Sequence, residues 1–257
     1  MLRPVRAAKV RTRRVRRSAT VLILLYGSLI SPTYGEFVLN NTNGPPFTTA
    51  QGDGFLDIVV TEAFKRAGAS VRFVTLPPER GLRNANEGIE DGEVTRVAGI
   101  ELSYKNLLPV PEKVIDWKFS AFSRTPNLAL QSDWRSLAPY TVGIIKGWKI
   151  AEKNLLGKQD VVLAGDVSQL FRLLEKERVE VIVYSREMGL AYLLNQGLHG
   201  IHLLEPPLES REMFIYLHRT HAAFVSKLAE SLRSLKVDGT YDRIYRESIT
   251  QKLQSDS

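Results

Sequence analysis

The chain has 257 residues, of which 44% are hydrophobic and 25% charged, a composition typical of an ordinary globular protein. Its net charge of +7 arises in residues 1–35, which hold eight basic residues and no acidic one, whereas the rest has 27 basic and 28 acidic residues. This balance argues against nucleic acid as a partner. The absence of cysteine excludes disulfides, thiol nucleophiles and cysteine metal sites.

Residues 1–35 have the organisation of a secretory signal peptide. A basic segment precedes the apolar run VLILLYGSLI at residues 21–30 and the small-residue pattern at residues 33–35. The apolar run is about half the roughly 20 residues that a transmembrane helix needs. We therefore predict a cleaved signal peptide and a periplasmic mature protein, with an uncleaved anchor as the alternative.

The mature chain opens with a predicted βαβ unit. Residues 37–39 predict a strand, and turn residues follow at 40–46. Apolar residues at helical spacing from Phe55 to Ala67 predict a helix that ends at a left-handed Gly68. Residues 71–74 predict the second strand. Ligands of such units lie at the carboxyl ends of the strands, so the loop after the first strand is our first candidate for a binding site.

Strands and helices continue to alternate along the rest of the chain. Residues 102–117 are the exception, and we predict a loop there because Pro109 and Pro111 interrupt the pattern. The remaining predicted strands are 93–100, 140–145, 161–164, 179–184 and 213–217, with extended chain at 119–122 and 128–130. The remaining predicted helices are 81–88, 149–156, 167–174, 188–196 and 224–235. This alternation predicts an α/β architecture with mostly parallel strands.

Several motifs, in this order, resemble one known family. They are PPF at residues 45–47, GFLDI at 54–58, NEGIEDG at 86–92, FSAF at 119–122 and LRSLKVDGTYDRIY at 232–245. Together they resemble the bacterial periplasmic solute-binding proteins, in the polar amino acid-binding branch with the two-lobed type II fold. The resemblance extends over about residues 36–250. It implies lobe 1 at 36–126 plus 212–257, lobe 2 at 127–211, and a ligand held between lobes that close by a hinge.

Two motifs of that family are replaced in this chain. Where the family places an arginine that binds the ligand's α-carboxylate, this chain reads ELSYKN at residues 101–106. Where it places an aspartate that binds the α-amino group, this chain reads YSR at residues 184–186. The resemblance therefore implies the fold without the usual amino-acid specificity.

Two candidate site residues lie in the first predicted lobe near turns. Phe47 follows a Pro-Pro turn, where an aromatic ring would cover an apolar or planar ligand, or would instead pack onto its own lobe. Arg96 lies on a short strand of small and apolar residues, where its guanidinium suits a carboxylate ligand. An internal ion pair with Glu93 or Glu101 is the alternative for Arg96.

Four further candidates start helices or end strands. Arg80 begins a helix and would reach the cleft or remain solvated. Trp148 follows Gly147 at a helix start, where free backbone N–H groups suit an anion and the indole would line the cleft or the core. Tyr184 and Ser185 end a strand and, if the family topology holds, face the cleft.

Other constellations do not predict chemistry. The acidic run at residues 90–93 is typical of a solvated turn rather than of paired catalytic carboxylates. The pairs His199–His202 and His218–His221 have no acidic third ligand in register, so we expect no metal. The sequence has no phosphate-binding or dinucleotide-binding glycine motif, so we expect no cofactor.

The leading hypothesis is a non-enzymatic periplasmic receptor, expected to be a monomer. It would trap a small polar solute, an anion being one option, for an ABC-type membrane permease or for a sensor. The first alternative is an enzyme on the same scaffold, similar to cyclohexadienyl dehydratases, with Glu93 or Glu101 as its acid. The second is a pair of lobes that binds only a protein partner, which predicts a closed cleft without a pocket.

Overall fold

Residues 35–157 and 160–254, together with Met1, are described in the computed structural model of the chain. The predicted signal peptide therefore lies outside the described residues, apart from its two end positions. Within the described ranges the strands form one sheet in the order β2-β1-β3-β8-β4-β7-β5-β6. The strands are β1 Glu36–Asn40, β2 Ser70–Val74, β3 Gly92–Val97, β4 Leu107–Ser123, β5 Val142–Ile145, β6 Val161–Ala164, β7 Val181–Ser185 and β8 His202–His218.

Helices connect most of these strands. They are α1 Phe55–Arg66, α2 Pro78–Glu87, α3 Lys149–Leu155, α4 Val167–Glu175, α5 Arg186–Gln196, α6 Ala222–Val237, α7 Thr240–Tyr245 and α8 Gln251–Gln254. Short 3-10 turns occur at Ile100–Leu102, Trp134–Leu137 and Arg219–His221, and a π-helical turn at Arg246–Thr250. No helix in the described part of the chain is long and apolar enough to cross a membrane.

Helix α1 forms where the apolar periodicity predicts it, and it buries the expected face. Its first turn is held by Asp57, whose carboxylate accepts hydrogen bonds from the backbone N–H of Thr49 at 2.9 Å and of Gly54 at 3.2 Å. Gly54 has no room for a Cβ, because that atom would lie 2.4 Å from the carbonyl oxygen of Phe47. These contacts set the path of the loop between β1 and α1.

The prediction of a loop over residues 102–117 is wrong. Strand β4 begins at Leu107 and runs through both prolines, paired with β8 in antiparallel register. The register shifts between Pro109 and Lys113, and an irregularity of this kind tolerates a residue that has no N–H to donate. Strand β8 is likewise far longer than the predicted strand at 213–217. The lengths of β4 and β8 are set by their pairing with each other, although the two segments are far apart in the sequence.

The sheet is mixed rather than mostly parallel, which corrects the expectation from the sequence. Strand β1 pairs in parallel with β2 and β3, and β5 pairs in parallel with β6 and β7. The long strands β4 and β8 join these two groups through antiparallel pairs with β7 and β3.

The β4–β8 pair lies between the two parallel groups of strands. The end of β8 near Phe214 pairs with β3, whereas the end of β4 near Phe122 pairs with β7. The register of the β4–β8 pair shifts again between Phe119 and Ala121. Such shifts bend strands, which suits a hinge. The lobe boundaries at 36–126 plus 212–257 and at 127–211 stay a prediction.

Candidate ligand-binding site

A cavity of about 320 Å³ lies at the carboxyl ends of the parallel strands. Residues 42–44 after β1 and residues 95–97 at the end of β3 contribute one part of its lining. Residues 145 and 147–150 after β5, 165–167 after β6, and Tyr184 in β7 contribute another. The loop after the first strand does therefore reach a cavity, as the βαβ topology predicts. A closed cleft without a pocket, expected for a pair of lobes that binds only protein, is not observed.

The polar part of the lining is built on Asn43 and Thr95. The amide nitrogen of Asn43 donates to Thr95 Oγ1 at 2.8 Å and to Asn41 Oδ1 at 2.7 Å. Since Thr95 accepts this bond with its oxygen, its own hydroxyl hydrogen stays available to another acceptor. Both side chains are uncharged, so this part of the lining is suited to a neutral polar group.

Arg96 lines the cavity and is paired with a buried carboxylate. Its Nη2 lies 2.6 Å and its Nε 2.9 Å from Oε2 of Glu93, and Nη2 also donates to the carbonyl oxygen of Pro78 at 3.1 Å. Glu93 is 1% exposed and lies outside the lining. The ion pair considered as the alternative for Arg96 is therefore present, and Glu93 is its partner.

A second set of ion pairs lies at the beginnings of α2 and α3. Lys149 Nζ is 2.8 Å from Glu79 Oε2 and 3.6 Å from Glu152 Oε2. The hydrogen bond and charge of Lys149 hold the pKa of Glu79 below its usual value, and Glu79 raises the pKa of Lys149. The backbone N–H of Gly147, predicted as an anion donor, donates instead to Glu152 Oε1 at 2.7 Å.

Four aromatic side chains form the largest apolar part of the lining. We call Trp117, Phe119, Trp148 and Tyr184 the aromatic cluster. Trp148 stacks on Tyr184 with ring centroids 4.9 Å apart, and it meets Phe119 edge-on at 5.9 Å. Burial raises the pKa of the Tyr184 phenol, so this hydroxyl is neutral throughout the physiological range.

Three of the six candidate residues line the cavity, namely Arg96, Trp148 and Tyr184. Phe47 is buried outside the lining, and its ring centroid lies 4.9 Å from that of Trp117. This position agrees with the alternative considered for Phe47, in which it packs onto its own lobe. Arg80 is exposed on α2, outside the lining. Ser185 is fully buried next to Phe119 in the β4–β7 pair, also outside the lining. The binding roles of the candidate residues stay a prediction.

Several lining residues were missed because they lie in the mispredicted segment or in periodic helices. Trp117 fell inside the predicted loop at 102–117, and Met213 was taken as the start of a short strand. Met188 belongs to the apolar periodicity of α5, which looks like ordinary core. Pairing of β4 with β8 places Trp117 and Met213 in the cavity lining. A short stretch of sequence does not reveal which distant segment it will pair with.

The proposed catalytic acids do not face the cavity. Glu101 Oε2 accepts a hydrogen bond from Tyr216 at 2.7 Å, and Glu93 is held by Arg96 and by Asn40. Asp166 is the acidic member of the lining in the part of the chain that the structure describes, and it also caps α4. Across the described ranges, no group of three or more His, Asp or Glu side chains could hold a metal ion.

A second hollow of about 460 Å³ lies between the loop at 45–53, α5 and α8. The ion pair of Asp53 with Lys252 spans 3.0 Å in its lining. This hollow lies away from the carboxyl ends of the strands, and the aromatic cluster does not contribute to it. The first cavity is therefore the candidate site.

The comparisons with known sequences find a distant relative. No protein-family model matches it. An uncharacterized protein from Shewanella oneidensis is 23% identical over 200 residues, and the match covers 75% of each chain.

Solved structures share the fold over most of the chain. An ancestral arginine-binding protein bound to arginine has a TM-score of 0.68 at 20% identity, covering 84% of this chain and 98% of its own. An amino acid ABC transporter substrate-binding protein from Streptococcus pneumoniae, bound to L-arginine, has a TM-score of 0.69 at 14% identity, with coverages of 86% and 97%. A histidine kinase sensor domain has a TM-score of 0.68 at 16% identity, with coverages of 84% and 95%. The chain therefore has the two-lobed α/β fold of type II periplasmic binding proteins, with a strongly diverged sequence.

Proposed function

We propose that this protein is a non-enzymatic receptor that binds one small solute in the cavity. One observation carries the proposal: both predicted lobes and the strands that connect them contribute to the lining of one cavity at the carboxyl ends of the strands. A volume of about 320 Å³ lies within the range of small-molecule pockets. Three side chains from different elements, Arg96, Trp148 and Tyr184, would contact the solute.

We also propose a periplasmic location and a role in transport or sensing. The fold neighbours include an ABC transporter substrate-binding protein and a histidine kinase sensor domain, which support both roles. The predicted signal peptide supports export. The expectation of an anionic solute stays a prediction, and the ion pairs around the cavity argue against it.

The first test is native mass spectrometry of the mature protein purified gently from periplasm. We expect a co-purified small molecule of defined mass, released on denaturation. A protein that carries no small molecule and binds none from a metabolite mixture would contradict the proposal.

A variant should then tie the small molecule to this cavity. Trp148→Ala removes the ring that stacks on Tyr184, and each base or ring stacked on an aromatic side chain contributes about 1–3 kcal/mol. We therefore expect the affinity for the molecule to fall at least about fivefold. The matched control is Val237→Ala, an exposed residue outside the lining, which should retain the molecule. Equal loss in both variants would mean that the molecule is not held in the cavity.

The second candidate function is an enzyme on this scaffold. Asp166 is the observation that favours it, since it supplies a carboxylate to the lining. Its Oδ1 accepts the backbone N–H of Gln169 at 2.8 Å and caps α4, which is a structural use of the same group. Turnover of a cyclohexadienyl acid by the purified protein, lost in Asp166→Asn, would establish this candidate. Absence of turnover would leave the receptor as the function.

A further inference from the structure

The groups of the cavity that would bind an anion are already held by internal carboxylates. Glu93 pairs with Arg96, Glu79 and Glu152 pair with Lys149, and Glu152 also accepts the N–H of Gly147. A bound anion would have to share each of these donors with a carboxylate only a few ångströms away. Like charges at that distance repel by several kcal/mol at the effective dielectric of a protein surface.

The geometry around Glu93 shows that the Arg96 charge is neutralised. Oε2 of Glu93 faces two guanidinium nitrogens of Arg96, and Oε1 accepts the side-chain N–H of Asn40 at 2.9 Å. Burial raises the pKa of Glu93 on balance, although the Arg96 charge and the hydrogen bonds from Asn40 and Arg96 act to lower it. The geometry decides the protonation state. Both oxygens face donors that cannot accept a proton, so the ionised carboxylate is the form that fits.

The cavity instead presents neutral donors without protein partners. Within the described residues, the indole N–H groups of Trp117 and Trp148 and the Tyr184 hydroxyl make no hydrogen bond to the protein, and these polar atoms are not closed off from solvent. All three residues line the cavity. Trp134, which is outside the lining, differs because its indole N–H donates to Glu209 at 2.7 Å. Indole N–H groups and phenol hydroxyls are hydrogen-bond donors, so these three groups are available to an acceptor on a ligand.

We propose that the ligand is an uncharged planar compound with a carbonyl-type oxygen, such as an aromatic amide or a heterocyclic carbonyl compound. Its ring packs against the aromatic cluster, and its oxygen accepts hydrogen bonds from these neutral donors. An aromatic ring gains most from offset or edge contacts with such side chains. This inference rests on the proposed receptor function and names the solute class for the same cavity.

The test compares three compounds with the same ring and different charge: benzamide, benzoate and benzamidine. Dissociation constants are measured on the mature wild-type protein by the fluorescence of its tryptophans and by calorimetry. We expect benzamide to bind at least about tenfold more tightly than benzoate or benzamidine, a difference of about 1.4 kcal/mol. Tighter binding of benzoate or of benzamidine overturns the inference.

Glu93→Gln provides a second measurement with a defined direction. The variant keeps an acceptor for Asn40 but leaves the Arg96 charge without its carboxylate. We expect benzoate affinity to rise at least about tenfold in this variant, while benzamide affinity changes little. Unchanged benzoate affinity in a folded Glu93→Gln protein counts against the inference.

Failure of this inference and failure of the receptor proposal give different results. If only the inference fails, a charged compound binds best or the co-purified molecule carries a net charge. If the receptor proposal fails, none of the three compounds binds and no small molecule co-purifies. Binding of none of the three, together with a co-purified charged solute, overturns the inference and leaves the receptor proposal intact.

Discussion

Glu187 is a buried carboxyl group in the first turn of α5, and one of its two oxygens lacks a hydrogen-bond partner in the described part of the chain. Its Oε2 has no hydrogen-bond partner within the described residues, and the residue is 5% exposed. Burial raises the pKa of Glu187, with Glu205 adding to the effect, while Lys118 and Arg186 oppose it. The folded state therefore binds the proton more tightly than the unfolded chain does.

The sign of the pH dependence follows from that shift. Stability from this group is fully present below the unfolded-state pKa of about 4.3 and falls as the pH rises towards the raised folded-state pKa. Glu187→Gln should therefore raise the unfolding free energy at pH 7 by about 1 kcal/mol, which corresponds to about 2–4 °C in the melting temperature. The gain should disappear near pH 4.

The control for this prediction is Glu247→Gln, which removes the same charge from a side chain that is 54% exposed and pairs with Arg243 at 3.1 Å. We expect it to change the melting temperature little at either pH. Thermal unfolding followed by circular dichroism at pH 4 and pH 7 makes the comparison. A Glu187→Gln protein less stable than wild type at both values would show that the charged form is satisfied.

At the site, the sequence was sufficient to select Arg96 but not to identify its ion-pair partner. Arg96 was chosen because arginine is costly to bury without a partner, and the structure places it in the lining. Glu93, three residues away, was one of two acids considered as that partner. The choice between Glu93 and Glu101 needed the tertiary structure, in which Tyr216 donates to Glu101 while Arg96 pairs with Glu93.

At the scale of elements, the beginnings of α2 and α3 meet at the cavity. Glu79 in α2 pairs with Lys149 in α3 and also accepts the Tyr104 hydroxyl at 3.0 Å. These two helices belong to different predicted lobes. The ion pair is half exposed, so its contribution is about 0–1 kcal/mol and falls with added salt.

We predict that this ion pair favours the closed form. Glu79→Gln keeps the acceptor for Tyr104 and weakens the contact with Lys149, so the ratio of open to closed protein should rise by up to about fivefold at low salt. Double electron–electron resonance between spin labels at Leu102→Cys and Leu156→Cys measures this ratio, since the chain has no other cysteine and both positions are exposed.

Glu247→Gln is the matched control for that measurement. It removes an equally exposed ion pair with Arg243, outside the cavity lining. Its distance distribution should equal that of the wild type. A Glu79→Gln distribution that does not differ from the control, or that differs equally in high salt, would contradict a role for the ion pair in closure.

At the scale of the whole molecule, the lobes meet closely enough to be cross-linked. A Cβ built at Gly147 would lie 3.8 Å from the Cβ of Pro78, a separation typical of disulfides. Pro78→Cys/Gly147→Cys should therefore form a disulfide on oxidation and hold the cavity closed. Gly147 has φ of 89°, so a cysteine there costs about 1–2 kcal/mol of backbone energy, which reduces but does not prevent formation.

The cross-link has a direct readout in ligand exchange. In the oxidised double variant, benzamide should neither enter nor leave on the time scale of wild-type exchange, and reduction should restore exchange. Each single-cysteine variant serves as the control for the substitution alone. Rapid exchange in the fully oxidised protein would show that the cavity opens without separation of α2 from α3.

The sequence by itself determined the class of fold, most helices and the end of the sheet where ligands are expected. Helix α1 and the left-handed Gly68 after it are local features, because apolar spacing and glycine act over a few residues. The motif order was likewise sufficient to indicate the two-lobed fold that the structural comparisons show.

Only the tertiary structure decided the long strands, the aromatic cluster and the electrostatics of the cavity. Strands β4 and β8 exist because segments about a hundred residues apart pair with each other, and this overrides the local effect of Pro109 and Pro111. That pairing places Trp117 in the cavity lining. Phe47 lies outside the lining and packs against Trp117. Whether Arg96 carries a free charge depends on one carboxylate at 2.6 Å, and ion pairing at that range is a property of three-dimensional position.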